Sequence, residues 1–370
     1  MSFVPGLEQV VVAETEVSFV DGENGRLVYR GEWAKDLSEG HSFEEVAYLL
    51  WNGHLPSAAE LEVSQAVWSQ QRELPQEIQA VLDAIPHETG MMSVLRTAVS
   101  ALESQAYAYP PTVEQAAAIT MKLPTIIAYR YHRLKGTTPV ASRSDLGHTA
   151  NYLYMLRGVE PSPVHVRALE AYLILLMEHG MNSSTFAARV IASTRSDIVS
   201  SLTGAIGALK GPLHGGAPSH VMNMLRGIGT KDQTEAWIRN KLESDGRLMG
   251  FGHRVYKTTD PRAVALRELA LRLSASDPWL ELAVHVEEVA IRLLEEYKPG
   301  KKLYTNVEFY AAAVMNAIEF EEELFTPTFA VTRTVGWSAH IIEAAQGRLI
   351  YPDAAYIGKL PAAAAGATTP

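Results

Sequence analysis

After residue 42, apolar residues recur at helical spacing over almost the whole chain, and this periodicity restricts the fold more than any other feature of the sequence. Two of the helical segments open with a Ser-x-x-Glu capping box, one from Ser42 to Glu45 and one from Ser57 to Glu60. The clearest further segments lie at 91–104, 112–135, 162–179, 196–209, 216–227, 261–274, 278–297 and 326–346. Since no strands alternate with them, the pattern predicts a mainly α fold and argues against a doubly wound sheet.

A short β-hairpin is predicted ahead of the helices. Residues 17–31 show apolar alternation on both sides of an Asp-Gly and an Asn-Gly pair, which is typical of two strands joined by a tight turn. Elsewhere the sequence gives almost no strand signal.

Two interruptions divide the helical pattern. Residues 208–220 are rich in glycine and proline, and a second interruption lies near "FTPTF" at 325–329. We therefore expect a large helical domain made of residues 1–215 and 324–370, with a smaller domain of residues 216–323 inserted into it. A cleft between two such domains is a natural ligand site.

Composition excludes several classes of protein. The chain has 370 residues, of which 47% are hydrophobic, and it has no cysteine, so disulfides, thiolate metal sites and cysteine nucleophiles are excluded. A chain without cysteine fits a reducing compartment, and we expect the cytoplasm. The first basic residue is Arg26 and acidic residues precede it, so we expect no secretory signal.

The charge pattern argues against nucleic acid and membrane as partners. The formal net charge is -10, whereas binding to a phosphate backbone depends on lysine and arginine. The longest stretch without a charged residue, 211–225, is broken by glycine and proline. We therefore expect no segment that spans a bilayer.

Four polar side chains lie in apolar or glycine-rich surroundings: His179, His214, His253 and Glu308. Each histidine has the alternative of a satisfied core side chain, and Glu308 has that of favouring the positive end of an Ala-rich helix. A metal site is disfavoured because none of these three histidines has a second ligand three or four residues away. In a cleft, burial would raise the pKa of Glu308 and make it a candidate general base.

Two arginines indicate an anionic ligand. In "TDPRA", Asp260 is predicted to cap a helix that begins at Pro261, which places Arg262 in the first turn beside unpaired backbone N–H groups. A small dicarboxylate fits there, although a surface salt bridge is the alternative. Arg333 is flanked by apolar positions and needs an anionic partner if it is buried.

From the residues alone, the chain is predicted to be an α-helical, two-domain enzyme that binds an anion and uses histidine and carboxylate groups. Five blocks of sequence resemble the citrate synthase family, in that family's order and over nearly the whole chain. The blocks are "EHGMNSSTFAARV", "LKGPLHGGAPSHV", "MGFGHRVYKTTDPRA", "TNVEFY" and "FTPTFAVTRTVGW". The length is similar to that of the short bacterial form, which is usually a dimer.

The resemblance implies a fold and a reaction. It implies a large and a small helical domain that close over oxaloacetate before acetyl-CoA condenses with it, giving citrate and CoA in the tricarboxylic acid cycle. Acetyl-CoA is then a co-substrate, and no permanently bound cofactor or metal is needed. A homodimer with sites near the subunit interface is also implied.

The resemblance further implies a role for each site residue. Glu308 is the expected base for the acetyl methyl, His214 the expected partner of the thioester oxygen, and His253 the group that polarises the oxaloacetate carbonyl. The residues expected to bind oxaloacetate are His179, Asn182, Arg262 and Arg333. Lys257 and Lys302 are expected to face CoA phosphates, with solvated lysines as the alternative.

Two positions depart from the common family pattern. The base is usually aspartate, where this chain has Glu308, and a C-terminal "RLIRP" block is replaced by "GRLIYP", which places Tyr351 where the family has an arginine that reaches the partner subunit's site. Two alternatives to citrate synthase therefore stay open. One is a 2-methylcitrate synthase that uses propionyl-CoA, and the other is a weakly active paralogue that binds CoA or a dicarboxylate.

Overall fold

A computed structural model describes residues 3–215, 217–244, 246–253, 255–273 and 278–359. Over this part of the chain it has sixteen α-helices and three short strands, which confirms a mainly α fold. The helices are α1 Ala34–Gly40, α2 Phe43–Asn52, α3 Ala58–Gln70, α4 Gln76–Ala84, α5 Met91–Ser100, α6 Val113–Lys135, α7 His148–Arg157, α8 Pro163–Leu176, α9 Ser183–Ser193, α10 Ile198–Leu209, α11 Ala217–Ile228, α12 Thr234–Glu243, α13 Pro261–Leu273, α14 Pro278–Tyr297, α15 Val307–Ala317 and α16 Phe325–Ala344.

The predicted hairpin is present at the N-terminal side of the helices. Strand β1, Ser18–Asp21, pairs antiparallel with β2, Arg26–Tyr29, and β2 pairs with a two-residue strand β3, Glu32–Trp33. Asp21 lies opposite Arg26, so the intervening residues form the turn. The side chain of Asp21 accepts hydrogen bonds from the backbone and the side-chain amide of Asn24, which fixes this turn.

Both predicted capping boxes are confirmed. In each, the serine oxygen accepts from the backbone N–H three residues later, and the glutamate returns a hydrogen bond to the serine N–H. Helices α1, α4, α7, α9 and α12 were not among the predicted segments. They are short helices of 7–11 residues, for which the apolar periodicity is weak evidence.

The first predicted interruption is confirmed between the end of α10 at Leu209 and the start of α11 at Ala217. The second predicted interruption is also present near "FTPTF", although these five residues themselves are helical, because α16 begins at Phe325. Pro327 is tolerated there since the first N–H groups of a helix have no intrahelical acceptor. The interruption lies just before it, where Glu319 has a positive φ and residues 322–324 form a 3-10 turn.

Helix α16 is the centre of the structure. It is buried on all sides over almost its full length, because α2, α5, α6, α8, α9 and α10 all pack against it. The helices from α11 to α15 pack largely on one another, and α13 also contacts α1 and α8. No helix in the described part of the chain is long and apolar enough to cross a bilayer.

At Gly336, α16 lies very close to the segment that follows α8. A β-carbon there would lie 2.5 Å from the Met177 carbonyl oxygen and closer still to the Glu178 carboxylate. The Glu178 side chain is fully buried, so it has no space to move away. The close approach holds α16 against the residue that precedes His179.

We predict that Gly336→Ala destabilises the protein by about 1–3 kcal/mol, because it overpacks this contact. Gly207→Ala, in α10, is the matched control, since a β-carbon there would meet only the Arg96 side chain at 3.7 Å. The control is expected to be neutral or stabilising by up to about 1 kcal/mol. Urea unfolding of both variants measures the difference, and equal stabilities would contradict the prediction.

Candidate active site

The structure contains a cleft of about 800 Å³ that brings most of the predicted site residues together. We call it the main cleft. Of the predicted residues, it is lined by His179, Asn182, His214, His253, Lys257, Arg262, Glu308 and Arg333. Lys302 is exposed and does not line it. Eight residues from widely separated parts of the sequence therefore share one cleft.

Each of these residues comes from the end of a helix, from a connecting segment or from the central helix. His179 lies between α8 and α9, His214 lies before α11, and His253 lies in the loop that leads to α13. Glu308 lies in the first turn of α15. Helix ends place polar groups at the rim of the packed helices, where a ligand can reach them.

Two glycines shape the loop that carries His253. Gly250 and Gly252 have φ of +85° and +84°, which favour glycine, and a β-carbon on Gly250 would lie 2.9 Å from the Phe309 side chain. Asn306 donates from its backbone N–H to the Gly250 carbonyl at 2.9 Å and from its side chain to the Gly252 carbonyl at 3.0 Å. The loop is thus held against the start of α15, which carries Glu308.

His253 has a fixed tautomer. Its Nδ1 accepts hydrogen bonds from the backbone N–H groups of Val255, at 2.9 Å, and Tyr256, at 3.0 Å. The proton of the neutral ring is therefore on Nε2, which lies 3.4 Å from Nη2 of Arg262. Burial, with the nearby Arg262 charge, lowers the pKa of His253 to about 4, so the ring is neutral near pH 7.

Asp260 and Arg262 form a buried ion pair at the start of α13. Asp260 caps the helix by accepting from the Arg262 backbone N–H, and its carboxylate also binds the guanidinium at 3.0 and 2.8 Å. The same carboxylate accepts from the Val307 backbone N–H at 3.2 Å. Asp260 therefore joins the starts of α13 and α15, which carry Arg262 and Glu308.

Arg333 is a buried cation on α16, with 2% of its surface exposed. Its Nε donates to the Leu176 carbonyl at 2.7 Å, and its guanidinium lies 4.6 Å from the centre of the Phe329 ring. Among the described residues, no carboxylate forms an ion pair with it. Burial lowers its pKa to about 10, which still leaves it charged at pH 7.

His214 is joined to α9 and α16 through Ser184. Its Nε2 lies 2.8 Å from the Ser184 hydroxyl oxygen. The same oxygen accepts a hydrogen bond from the Trp337 indole N–H at 3.0 Å. Asn182 caps α9 by accepting from the backbone N–H groups of Ser184 and Thr185. Burial and the charge of Arg333 lower the pKa of His214 to about 4.

His179 contacts the His253 loop through an aromatic side chain. Its Nε2 lies 3.1 Å from the hydroxyl of Tyr256, a residue that is 3% exposed. The His179 and His253 rings lie 5.6 Å apart, edge to face. Burial, with the charges of Arg262 and Arg333, lowers the pKa of His179 well below its ordinary value.

Glu308 has the features of a general base. Its Oε2 is buried and has no hydrogen-bond partner among the described residues. Burial raises its pKa, although the charge of Arg262 acts in the opposite direction. A partly desolvated carboxylate of raised pKa is suited to accept a proton from a weak carbon acid.

Comparisons with known proteins agree with this arrangement. The family model described as "Citrate synthase, C-terminal domain" matches residues 6–353. Citrate synthase 2 of Bacillus subtilis is 43% identical over 368 residues, covering 97% of this chain and 96% of the relative.

The chain belongs to the citrate synthase family.

Solved structures of citrate synthases support the same conclusion. The crystal structure of citrate synthase from Thermotoga maritima is 40% identical with a TM-score of 0.86, and it covers 96% of both chains. The structure of citrate synthase from Thermoplasma acidophilum, a ternary complex with carboxymethyl coenzyme A and oxaloacetate, is 30% identical with a TM-score of 0.87 and covers 97% and 98%. The chain is thus an enzyme, an acyltransferase of the citrate synthase type.

The basic residues divide between two neighbouring cavities of the citrate synthase fold. An adjoining cavity of about 500 Å³ shares Arg247, Phe251, Gly252 and His253 with the main cleft. It is also lined by Lys298 and Lys301, but not by Lys302. Arg254, which belongs to the basic segment 250–262, lies outside the described residues.

Sequence reasoning missed three contributors to the site. Tyr256 contacts His179, Ser184 contacts His214, and Arg247 lies where the two cavities meet. An arginine between glycine and leucine was the available signal for Arg247. For Ser184 the signal was its place two residues after the Asn182 cap.

We predict that Glu308→Gln raises the melting temperature at pH 7 while abolishing turnover. Because the pKa of Glu308 is raised in the folded protein, ionisation of its carboxylate lowers the free energy of unfolding at pH values above its ordinary pKa of 4.5. Below that pH the carboxyl group is protonated in both the folded and the unfolded state, so the destabilisation disappears. The gain should therefore shrink as the pH falls towards 4. Thermal unfolding of Glu308→Gln and the wild type between about pH 4 and pH 7 measures this gain in melting temperature. Glu62→Gln, at an exposed position, is the control. A gain that does not depend on pH would contradict the prediction.

Proposed function

We propose that the main cleft condenses acetyl-CoA with oxaloacetate, giving citrate and CoA, with His214, His253 and Glu308 as the catalytic residues. The observation that carries the proposal is the convergence of these three residues with two buried arginines on one cleft. The Thermoplasma acidophilum structure was solved with oxaloacetate and a CoA analogue, which supports the same two ligands here.

Oxaloacetate binds through its two carboxylates. Arg333 supplies a buried charge without a carboxylate partner among the described residues, and Arg262 presents a guanidinium held in place by Asp260. His179 lines the same cleft and adds a hydrogen bond. Each charge-assisted hydrogen bond contributes about 1.5–3 kcal/mol. Asn182 uses its oxygen to cap α9, so its contribution is mainly to shape the wall.

Acetyl-CoA is converted to its enol by a base and a hydrogen-bond donor. The Glu308 carboxylate removes a proton from the methyl group. The Ser184 hydroxyl lies 2.7 Å from the Asn182 oxygen and 2.8 Å from Nε2 of His214, and we propose that in this step it donates its proton to His214. The proton of neutral His214 is then on Nδ1, which donates to the thioester oxygen as negative charge develops there.

The new carbon bond forms next to His253. The enol carbon attacks the carbonyl carbon of oxaloacetate, and Nε2 of His253 transfers its proton to the carbonyl oxygen, which becomes the hydroxyl of citryl-CoA. This leaves His253 as an imidazolate next to Arg262 and the methyl proton on Glu308. Water then hydrolyses the thioester and gives one proton back to His253, while the CoA thiolate takes the proton from Glu308, so that citrate and CoA are released and both groups are restored. The backbone N–H groups that bind Nδ1 keep the proton on the nitrogen that faces Arg262 and the cleft.

CoA extends from the main cleft into the adjoining cavity. Lys257 lines the former, and Arg247 lies at the boundary of the two, so both are placed to meet CoA phosphates. Lys302 is proposed to contribute from the surface, next to Lys301. The acyl group then points towards Glu308.

Three broader features complete the proposal. Residues 216–323 form the small domain, which closes on the remainder of the chain when oxaloacetate binds. The enzyme is a homodimer, and the exposed segment around Tyr351 reaches the partner's site. The absence of cysteine supports a cytoplasmic enzyme.

The direct test is the release of CoA from acetyl-CoA by the purified enzyme, with and without oxaloacetate. We expect oxaloacetate-dependent release, and a higher kcat/KM for acetyl-CoA than for propionyl-CoA. A preference for propionyl-CoA would identify a 2-methylcitrate synthase, for which a slightly larger acyl pocket is sufficient. Tight calorimetric binding without turnover would favour the weakly active paralogue.

We predict that Tyr351→Arg lowers the KM for oxaloacetate by about 10- to 150-fold, the equivalent of one charge-assisted hydrogen bond. Tyr351 is 85% exposed in the single chain, so an arginine fits there without repacking. Tyr356→Arg is the matched control, since Tyr356 is 71% exposed in the same extended segment. An unchanged KM in both variants would show that position 351 does not face the substrate.

A further inference from the structure

The β1–β2 hairpin contacts both segments that are proposed to bind oxaloacetate. Its strands contact the segment that carries His179. Ser18 donates to the Glu178 carboxylate at 3.0 Å, and the Tyr29 hydroxyl donates to the Glu178 carbonyl at 2.8 Å. Val20 packs on Gly180, where a β-carbon would lie 3.1 Å from the valine methyl group. The residues on both sides of His179 are therefore held by the hairpin.

The turn of the hairpin contacts the loop between His253 and Arg262. Lys257 donates from its backbone N–H to the Gly22 carbonyl at 2.8 Å. A β-carbon on Gly22 would lie 2.9 Å from the Val255 carbonyl carbon and closer to its oxygen, and one on Gly25 would lie 2.7 Å from the Thr259 carbonyl oxygen. The two backbones are thus in direct contact, with no space for a side chain between them.

The contacted loop determines the orientation of His253. Val255 and Tyr256 supply the two N–H groups that bind Nδ1 of His253, and Tyr256 also reaches His179 through its hydroxyl. A displacement of Val255 would therefore turn the His253 ring and separate it from His179. Since the hairpin contacts Val255 on one side and Glu178 and Gly180 on the other, it sets the distance between the two histidines.

We propose that the β1–β2 hairpin is a clamp that positions His253 and His179 for oxaloacetate, with Gly22 as the positioning residue at the contact. The identity of the substrate rests on the proposed function, whereas the clamp rests on the contacts above. The clamp depends on the turn Asp-Gly-Glu-Asn-Gly at residues 21–25. The Asp21 side chain accepts hydrogen bonds from Asn24, and the backbone of the turn glycines contacts the loop between His253 and Arg262.

Gly22→Ala tests the contact alone, because Gly22 does not have a positive φ and alanine adds no backbone strain. We expect the KM for oxaloacetate to rise by about 10- to 100-fold, since a misplacement of about 1 Å has effects of that size. The KM for acetyl-CoA should rise less than the KM for oxaloacetate, because Glu308 and its helix are not displaced and the displaced loop carries only one of the proposed CoA contacts, Lys257. Gly40→Ala, at a position with nothing within 4 Å, is the matched control.

The kinetic pattern separates positioning from simple loss of folded protein. Partial unfolding lowers kcat in proportion to the active fraction and leaves both KM values unchanged. A Gly22→Ala enzyme with the kinetics of Gly40→Ala, or with a reduced kcat alone, would overturn the clamp.

A second measurement does not depend on turnover. Hydrogen exchange of peptides covering residues 255–260 should be faster in Gly22→Ala than in the wild type or Gly40→Ala, because the Lys257 N–H loses its acceptor. If the wild type forms no citrate, the proposed function fails but this comparison still tests the clamp. Equal exchange in all three proteins would overturn it.

Discussion

The site depends on the burial of two guanidinium groups beneath one cleft. Arg262 is neutralised by Asp260, whereas Arg333 has only a carbonyl and an aromatic face as partners among the described residues. An unpaired buried charge is costly, and a bound anion relieves that cost. This explains why a chain of net charge -10 concentrates positive charge here, and why the three catalytic candidates surround it.

Helix starts supply three of the predicted residues of the cleft, Asn182, Arg262 and Glu308. Arg262 and Glu308 lie in the first turns of α13 and α15, and the Asp260 carboxylate binds both helices through N–H groups that have no intrahelical acceptor. Asn182 does the same at α9, beside Ser184 and His214. These capping groups therefore serve two purposes, since they begin the helices and fix the spacing of the candidate catalytic side chains.

Contacts between residues close in sequence could be predicted, whereas contacts between distant segments could not. Asp260 as a cap for α13 and the boxes at Ser42 and Ser57 were predicted because capping involves neighbouring residues only. The role of Tyr256 and the contact between Gly22 and Val255 join distant segments, and no periodicity in one sequence indicates such pairs. The expected roles of His214, His253 and Glu308 came from the resemblance to citrate synthase, since isolated motifs do not show which side chains are buried or line the same cleft.

Charge also couples the two substrates on the proposed mechanism. In the free enzyme, the guanidinium groups of Arg262 and Arg333 lower the pKa of Glu308, while burial raises it. When oxaloacetate binds, its carboxylates offset the positive charge of Arg262 and Arg333, so the two arginines lower the pKa of Glu308 by less. The carboxylate then becomes a stronger base at the point when its carbon acid arrives. The proton is thus removed most readily once the electrophile that consumes the enol is already in place.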